Sequence, residues 1–433
     1  MKKFLLCVIF CLLSFSIIGE ANTLPSRYDL RDYGRITSVK DQGHLAVCGI
    51  FAAYGAIESN YLTQGLDSAG KIPDFSEMHS IYYGYGYSGL KPEQNFTPKF
   101  WWERFSTTAL CARLIGPALE KDMKYTDKVK GIPKSATKKF PEDYKIPVRL
   151  RNAYFLSFIG ANDIDTDTRK KLVMEYGAIV VGYYSDNKKY HRAGKYYTYF
   201  NNKRKNFTTH EVLLVGWDDD FSRDNFNPKP SKNGAWLLKN SWGKDWGNKG
   251  YFWMPYEQYL YGGTAFIVEK SNPNLRHYGH DDLGCCGTIG YSWGASVFKI
   301  RSYQETLKEV AFYTAKNETD YEIFVYNLGE QEPNTPVSGK LIASCKGNME
   351  LAGYYTINLP EEILMKQGEY FSVVLKTNRK TMPIETKRNN HSENAVAHEK
   401  ESYFSNDGVK WTDGINISGG SNACIKAFTI IKP

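Results

Sequence analysis

The sequence contains few cysteines, and its excess of positive charge is small. It has 8 cysteines in 433 residues, which excludes a small scaffold held together by disulfides. Cys345 with Cys424 is one candidate disulfide pair, but the sequence does not assign the pairing. The formal net charge of +8 is modest for this length. The most basic stretches mix lysine with tyrosine and contain no recognisable binding module, so we expect no nucleic-acid partner.

Long apolar runs are absent after the N-terminus, so we expect no transmembrane segment. At the N-terminus, Lys2 and Lys3 precede the 15-residue apolar run "FLLCVIFCLLSFSII", which ends at Gly19-Glu20-Ala21. A short basic region, an apolar core of this length and small residues after it are typical of a secretory signal peptide. The run is also short for a membrane span. We therefore predict a signal peptide at 1–21 and a mature protein that is secreted, periplasmic or at the cell surface.

The rest of the chain changes from helical to β-rich patterns, with no internal repeat and no low-complexity linker. Residues 48–64 carry apolar side chains at helical spacing, and further helix signals occur at 76–83 and 107–115. From about residue 147, short apolar segments alternate with turn residues. This order predicts an α+β enzyme with a cleft between two lobes. After about residue 270, evenly spaced strand-like segments predict a separate β-sandwich.

Cys48 lies at the start of the first predicted helix, in "SVKDQGHLAVCGIFAAYGAIES". A buried cysteine is commonly only a small apolar side chain. A helix N-terminus, however, lowers the pKa of a thiol and favours the nucleophilic thiolate. Gln42 precedes Cys48 in a predicted turn, where its amide could donate a hydrogen bond to a developing oxyanion.

A thiolate that attacks an amide also needs a histidine and a polar group that orients it. His210 begins the predicted strand "HEVLLVGWD", and Asn240 follows in "WLLKNSWGKDWGNKGYF". The Asn240 side chain could orient the imidazole, and Trp242 could cover the pair from water. The other histidines lie in predicted loops or polar stretches without such a context: His44, His79, His191, His277, His280, His391 and His398.

The segments "DQGHLAVCGIFA", "HEVLLVGWDDDF" and "WLLKNSWGKDWGNKGYF" resemble the three signature segments of papain-like cysteine peptidases, in that family's chain order. The likeness covers about residues 24–270 and begins with "LPSRYDLRDYGRITSVKDQG". The resemblance implies a papain-like two-lobed fold, with a helical lobe and a β-barrel-like lobe, in a domain at 22–272. It also implies a mechanism that requires no cofactor.

By this resemblance, each candidate residue has a distinct role. Cys48 is the nucleophile, His210 is the general acid and base, and Asn240 orients His210. Gln42 and the backbone N–H of Cys48 form the oxyanion hole.

Several positions depart from the family pattern. Gly49 stands where the family usually has tryptophan, Leu45 where it has a cysteine, and Thr209 where asparagine or aspartate is common. The paired glycines that bind the substrate backbone are not recognisable, and the region 84–105 looks remodelled. We also expect none of the long inhibitory propeptide of papain relatives, since the predicted signal ends near residue 21 and the mature-like segment starts at residue 24. We expect these changes to preserve the chemistry and to alter substrate specificity.

The C-terminal segments "DDLG", "GASVFKI" and "ETLKEVAFYT" resemble segments of the lectin-like domain of some bacterial surface proteins. This resemblance implies that residues 284–433 form a β-sandwich that binds carbohydrate or another cell-surface ligand. It identifies no residues that contact a sugar.

The segment "HYGHDDLGCC" contains potential metal ligands, but its spacing matches no common zinc site, so we predict no metal. The sequence predicts a secreted cysteine peptidase that cleaves peptide bonds through a thioacyl-enzyme. Two alternatives stay open. One is a catalytically inactive adhesin or binding protein, and the other is a thiol transpeptidase or cell-wall amidase that uses the same Cys–His chemistry.

Overall fold

The computed structural model describes residues 24–66, 72–85, 103–128, 144–156, 165–203, 207–388, 392–417 and 419–431. The predicted signal peptide and most of the 84–105 region lie outside these residues. Within the described ranges, no helix has the length and apolar character that a membrane crossing requires.

Four α-helices are described: α1 Cys48–Thr63, α2 Glu77–Ser80, α3 Glu103–Ala112 and α4 Thr166–Tyr176. The structure confirms the three predicted helix signals, and the second continues into a π-helical turn at Ile81–Tyr85. Every residue of α1 from Gly49 to Asn60 is buried, because the helix packs between the other helices and the sheet. The sequence did not predict α4, which begins where the Asp165 carboxylate accepts a hydrogen bond from the Thr168 N–H (2.7 Å).

The strands of the first part follow the predicted β-rich region. They are β1 Arg27–Asp29, β2 Val148–Phe155, β3 Ile179–Tyr183, β4 Tyr190–Ala193, β5 Tyr196–Tyr199, β6 His210–Asp218, β7 Ala235–Lys239, β8 Tyr251–Pro255 and β9 Tyr261–Lys270. Their order in the sheet is β2-β9-β3-β6-β7-β8-β5-β4, with β1 paired to β6. Helix α1 packs against β3, β6 and β9. This contact places α1 against the central strands of the sheet.

The C-terminal part is built from strands, as the sequence predicted. They are β10 Leu275–Tyr278, β11 Gly287–Ile289, β12 Trp293–Lys299, β13 Gln304–Thr314, β14 Thr319–Gly329, β15 Lys340–Met349, β16 Ala352–Lys366, β17 Tyr370–Thr377, β18 Met382–Thr386, β19 Ser402–Ser405, β20 Thr412–Asp413, β21 Ser421–Ala423 and β22 Ile425–Ile431. One sheet has the order β15-β14-β17-β12-β19-β20, and another contains β10-β22-β13-β16. Apolar side chains from both sheets, such as Val310 and Val373, form a common core. The predicted α+β architecture followed by a β-sandwich is confirmed.

The two parts share one continuous sheet, whereas the sequence predicted a separate sandwich. Residues 352–354 of β16 pair antiparallel with residues 153–155 of β2, so the sheet of the first part continues through β13, β22 and β10. Asn152 also accepts a hydrogen bond from the Thr356 N–H (3.0 Å). Since β2 would otherwise be an edge strand with unpaired backbone groups, β16 covers that edge.

A buried group of charges lies across this junction. Arg149 on β2 donates hydrogen bonds to Glu309 on β13 (2.6 and 2.9 Å) and to Glu269 on β9 (2.5 Å). Arg151 donates a further bond to Glu309 (2.6 Å). The junction between the two parts is therefore held by ion pairs as well as by backbone pairing.

His79 is buried in α2, although the sequence predicted a loop or a polar stretch around it. Its side chain is 0% exposed, and its Nδ1 lies 3.3 Å from the Tyr54 hydroxyl. Burial lowers the pKa of His79 to about 3, because the interior disfavours the charged imidazolium.

We expect this burial to make the folded state sensitive to acid. In the unfolded chain His79 takes up a proton near pH 6.5, whereas in the folded protein it does so only near pH 3. The free energy of unfolding should therefore fall as the pH decreases from about 6.5 towards 3, by up to about 1.4 kcal/mol per pH unit from this residue. Urea unfolding of wild type and His79→Gln at several pH values tests this. An equally steep pH dependence in the variant would contradict it.

Candidate active site

Cys48 is the first residue of α1, as predicted, so its side chain lies at the positive end of the helix. The residue is half-buried. None of the six cysteines in the described part of the chain forms a disulfide, so the candidate pair Cys345–Cys424 is not formed. The position of Cys48 is one at which the helix stabilises a thiolate.

His210 and Asn240 lie on adjacent strands and contact each other directly. His210 begins β6, Asn240 follows β7, and these strands pair antiparallel. His210 Nε2 lies 2.8 Å from Asn240 Oδ1, which also accepts a hydrogen bond from the Ser241 N–H (2.9 Å). Because an amide oxygen only accepts hydrogen bonds, Nε2 carries the hydrogen, and Nδ1 of the neutral ring is left as a proton acceptor.

The surroundings of His210 are aromatic and largely dry. The indole of Trp242 stacks on the imidazole with ring centroids 4.6 Å apart, and Tyr183 contacts it edge-on at 5.7 Å. Burial lowers the pKa of His210 to about 4, although the hydrogen bond to Asn240 raises it. The ring is therefore neutral unless a negative charge beside it compensates for the lost solvation.

Gln42 is fixed by hydrogen bonds on both its backbone and its side chain. Its Oε1 accepts from the Ser241 hydroxyl (2.6 Å), and its Nε2 donates to the Leu45 carbonyl (2.8 Å). Its backbone N–H donates to Ser241 O (2.8 Å), and its carbonyl accepts from the Tyr125 hydroxyl (2.7 Å). An amide nitrogen has two hydrogens, so one Nε2–H remains to bind another acceptor.

The sequence did not predict a charge network around Lys40, in which Glu58 and Glu77 are buried and Asp74 is exposed. Lys40 Nζ lies within 3.0 Å of carboxylate oxygens of Glu58, Asp74 and Glu77. The signal that could have revealed this network is Glu58, a charged residue among the apolar and small residues in the middle of α1.

The network also reaches the residue before Asn240. Glu58 accepts a hydrogen bond from the Thr37 hydroxyl (2.5 Å), and Lys239 donates to the Thr37 carbonyl (2.9 Å). Burial lowers the pKa of Lys239 to about 8. A cavity of about 20 Å³ lies between α1 and these groups, large enough for about one water molecule. The network thus connects α1, which carries Cys48, with the segment that carries Asn240.

The possible ligands in "HYGHDDLGCC" are engaged in other contacts. His277 packs against Phe428 with centroids 5.8 Å apart, His280 Nδ1 lies 3.2 Å from Glu401, and Asp281 pairs with Lys426. Among the described residues, no group of three or more histidine, cysteine, aspartate or glutamate side chains is arranged to hold a metal ion.

Comparisons with known proteins agree with the two-part architecture. The model of the papain family of cysteine proteases matches residues 115–267, and the model of a lectin-like domain matches residues 277–429. The chain is similar to the structure of the clostridial cysteine protease Cwp84 after propeptide cleavage. The identity is 24%, the match covers 94% of this chain and 100% of that chain, and the TM-score is 0.79.

A second structure contains the cysteine protease and lectin-like domains of Cwp84, a surface layer associated protein of Clostridium difficile. It is 24% identical, the match covers 94% of this chain and 89% of that chain, and the TM-score is 0.76. Cathepsin L of Sarcophaga peregrina is 25% identical over 251 residues, which are 56% of this chain and 62% of the relative. The oryzain gamma chain of Oryza sativa subsp. japonica is 28% identical over 242 residues, or 54% of this chain and 56% of the relative. The chain thus spans somewhat more than half the length of cathepsin L and of the oryzain gamma chain.

The fold and the family matches define the class of protein: a cysteine protease with the papain-like fold. The chain resembles papain-like cysteine peptidases with a C-terminal lectin-like domain: its residues 115–267 match the papain family of cysteine proteases, and its residues 277–429 match a lectin-like domain. The resemblance and the enzyme class predicted from the sequence are confirmed at this level.

Proposed function

We propose that this protein is an exported peptidase that hydrolyses peptide bonds through a thioacyl-enzyme at Cys48. The observation that carries the proposal is the 2.8 Å contact between His210 Nε2 and Asn240 Oδ1 beneath Trp242. It leaves Nδ1 of the neutral ring as the proton acceptor, and Cys48 begins the helix that packs on the same strand, β6. This combination supplies a nucleophile, a base and an orienting group.

The first half of the reaction forms the thioacyl-enzyme and releases the amine. His210 Nδ1 takes the Cys48 proton, and the thiolate attacks the substrate carbonyl carbon, forming the C–S bond. The oxyanion of the tetrahedral intermediate accepts hydrogen bonds from Gln42 Nε2 and the Cys48 N–H. The C–N bond then breaks, His210 gives its proton to the leaving amine, and the thioacyl-enzyme remains.

The second half releases the acid product. His210 takes a proton from water, the resulting hydroxide attacks the thioacyl carbon, and the C–S bond breaks. The thiolate leaves and is again paired with the protonated imidazole. No cofactor takes part in these steps.

Electrostatics in the site support a coupled thiolate and imidazolium. Burial outweighs the hydrogen bond to Asn240 and lowers the pKa of His210 to about 4, so an isolated imidazolium is unfavourable there. A thiolate at Cys48 would supply the compensating negative charge, and the N-terminus of α1 would stabilise that thiolate. Each charge therefore makes the other easier to form.

We also propose the signal peptide at 1–21, the peptidase domain at 22–272 and the lectin-like domain at 284–433. The role proposed for the last domain is to bind carbohydrate or another cell-surface ligand. The similarity to a surface layer associated protein supports a secreted or surface location, and the family match at 277–429 supports a binding role. The peptidase itself would take a protein or peptide substrate.

The test is labelling of the purified mature protein with an epoxysuccinyl thiol probe from pH 5 to 8, followed by mass spectrometry. We expect selective adduct formation at Cys48, none in Cys48→Ala, and labelling slower by about 100-fold or more in His210→Ala, since the general base contributes that much. Cys345→Ala is the matched control, because Cys345 is also half-buried but lies far along the chain on β15.

If Cys48 reacts no faster than Cys345, the thioacyl mechanism is wrong, and the inactive binding protein becomes the better interpretation. If Cys48 is labelled, peptide and cell-wall amide substrates, each with and without an added amine acceptor, distinguish the peptidase from the amidase and transpeptidase alternatives. Hydrolysed peptide products support the proposal, whereas transfer to the amine favours the transpeptidase.

A further inference from the structure

A group of basic side chains stands beside the candidate active site. We call it the basic surface and define it by Lys188, Lys189, Arg192, Lys244 and Lys249. All are exposed except Lys189, which is half-buried. None of the five forms an ion pair with a residue in the described part of the chain. Their charges are thus available to a ligand.

Aromatic packing holds this surface in a fixed position. Tyr190, which follows Lys189, contacts Trp242 at 6.0 Å and Trp246 at 5.2 Å. Arg192 Nη2 donates a hydrogen bond to the Gly247 carbonyl (3.0 Å), in the loop that also carries Lys244 and Lys249. The β4–β5 hairpin and this loop therefore form one structured wall next to Trp242.

The proposed mechanism puts the leaving group next to this hairpin and loop. In the proposed mechanism His210 protonates the leaving amine, so the peptide segment after the scissile bond must lie beside the imidazole. Since Trp242 covers His210 and the wall packs on Trp242, a peptide extending beyond the leaving amine runs along the basic surface.

Few acidic groups oppose these charges. Asp186 and Asp245 are the carboxylates in the same two segments, 186–193 and 243–250, and the Asp186 side chain accepts a hydrogen bond from the Lys188 N–H (3.0 Å). The exposed carboxylate of Asp41 also packs against Gly243, and Asp41 forms a β-bridge with Trp242. The five basic groups thus outnumber these three carboxylates. Thr209, directly before the catalytic histidine, is exposed and uncharged. The local balance is therefore positive, which favours a negatively charged ligand.

We propose that the basic surface binds acidic residues of the substrate on the carboxyl side of the scissile bond. This inference rests on the proposed peptidase function and adds the class of peptide it prefers. The occupant is an extended peptide segment with aspartate or glutamate within the few residues after the cleavage position. Exposed ion pairs are each weak, so the preference arises from several contacts together.

The test uses internally quenched peptides with the full mature chain. A peptide that the enzyme cleaves is first selected from a random library, and its three residues after the scissile bond are then set to Glu, Gln or Lys. We expect kcat/KM to be about five- to tenfold higher for Glu than for Gln, and lower still for Lys. The difference should shrink in 0.5 M salt, because salt screens exposed charges.

A triple variant, Lys188→Glu, Lys244→Glu and Lys249→Glu, should abolish or reverse the order of kcat/KM for the Glu, Gln and Lys peptides. The matched control changes three exposed lysines of the lectin-like domain by the same charge: Lys340→Glu, Lys346→Glu and Lys366→Glu. It should retain the preference for Glu.

Two outcomes overturn the inference while the peptidase proposal stands. They are equal cleavage of the Glu and Gln peptides by the wild type, and a preference for Glu that the triple variant retains. Probe labelling of Cys48 without cleavage of any library peptide also overturns it. Absence of both labelling and cleavage instead contradicts the proposed function, and the inference then fails with it.

Discussion

Replacing Arg149 by methionine is expected to lower the free energy of unfolding by about 3–5 kcal/mol. Arg149 is 5% exposed, and its partner Glu309 is 9% exposed, so the variant leaves a buried carboxylate without its main counter-charge. Burial raises the pKa of Glu309, but the pairing with Arg149 and Arg151 outweighs this and holds the pKa below its usual value. Urea unfolding followed by tryptophan fluorescence and circular dichroism measures the change.

A double variant separates the loss of the pair from the loss of packing. In Arg149→Met with Glu309→Gln, the buried carboxylate is gone, and only Glu269, whose side chain is 41% exposed, loses its bond to Arg149. Much of the lost stability should therefore return. The matched exposed pair is Lys308 with Glu362 (2.7 Å). Lys308→Met should change the stability by less than about 1 kcal/mol, since exposed pairs contribute little.

The result also bears on how the two parts of the chain are joined. Arg149 lies on β2, and Glu309 lies on β13 in the C-terminal part, on either side of β16. If this junction is integral to the fold, Arg149→Met should destabilise both parts in a single transition. A separate early transition confined to the C-terminal part would mean that the lectin-like domain unfolds on its own, and that the shared sheet contributes little to either part.

Local patterns predicted the elements that surround the candidate site. The apolar run in "HEVLLVGWD" corresponds to β6 at His210–Asp218, and the helically spaced apolar residues after Cys48 correspond to α1. Both signals are local: a run of β-branched and apolar residues for a buried strand, and helical spacing for a helix. The contact between His210 and Asn240 agrees with the family resemblance, because strand pairing brings the two segments together.

The features that the sequence did not predict depend on distant contacts. The pairing of β2 with β16 joins residues about 200 positions apart in the chain, and no local pattern specifies which strand covers an exposed edge. His79 stands in a stretch that reads as polar, yet tertiary packing buries it. Helix α4 was missed for a similar reason, since its sequence "TDTRKKLVMEY" is largely polar and only a narrow face, including Leu172 and Val173, is buried.

Replacing Gln42 by leucine is expected to lower kcat/KM for peptide hydrolysis by roughly 100- to 1,000-fold, the usual effect of removing one oxyanion donor. The loss should fall mainly on kcat, because the oxyanion exists in the transition state and not in the bound substrate. Steady-state kinetics on the selected library peptide measures both constants. Gln42 is 6% exposed, so urea unfolding must accompany the kinetics to show that the variant is folded.

Ser241→Ala provides a graded comparison. The Ser241 hydroxyl donates to Gln42 Oε1 (2.6 Å) and thereby orients the amide, so its removal loosens the donor without deleting it. We expect a loss in kcat of about tenfold, smaller than in Gln42→Leu, because the remaining bond from Nε2 to the Leu45 carbonyl (2.8 Å) still restrains the side chain. An equal loss in both variants would mean that Gln42 acts through the structure of the loop and not as a donor.

Alkylation by iodoacetamide separates these two roles of Gln42. The thiolate displaces iodide from carbon without forming an oxyanion, so the reaction needs the pairing of Cys48 with His210 but not the oxyanion hole. Gln42→Leu should therefore retain nearly wild-type alkylation of Cys48 while losing peptide hydrolysis. If alkylation falls in parallel with hydrolysis, Gln42 instead maintains the position or the ionisation of Cys48, since its hydrogen bonds fix the loop that leads into α1.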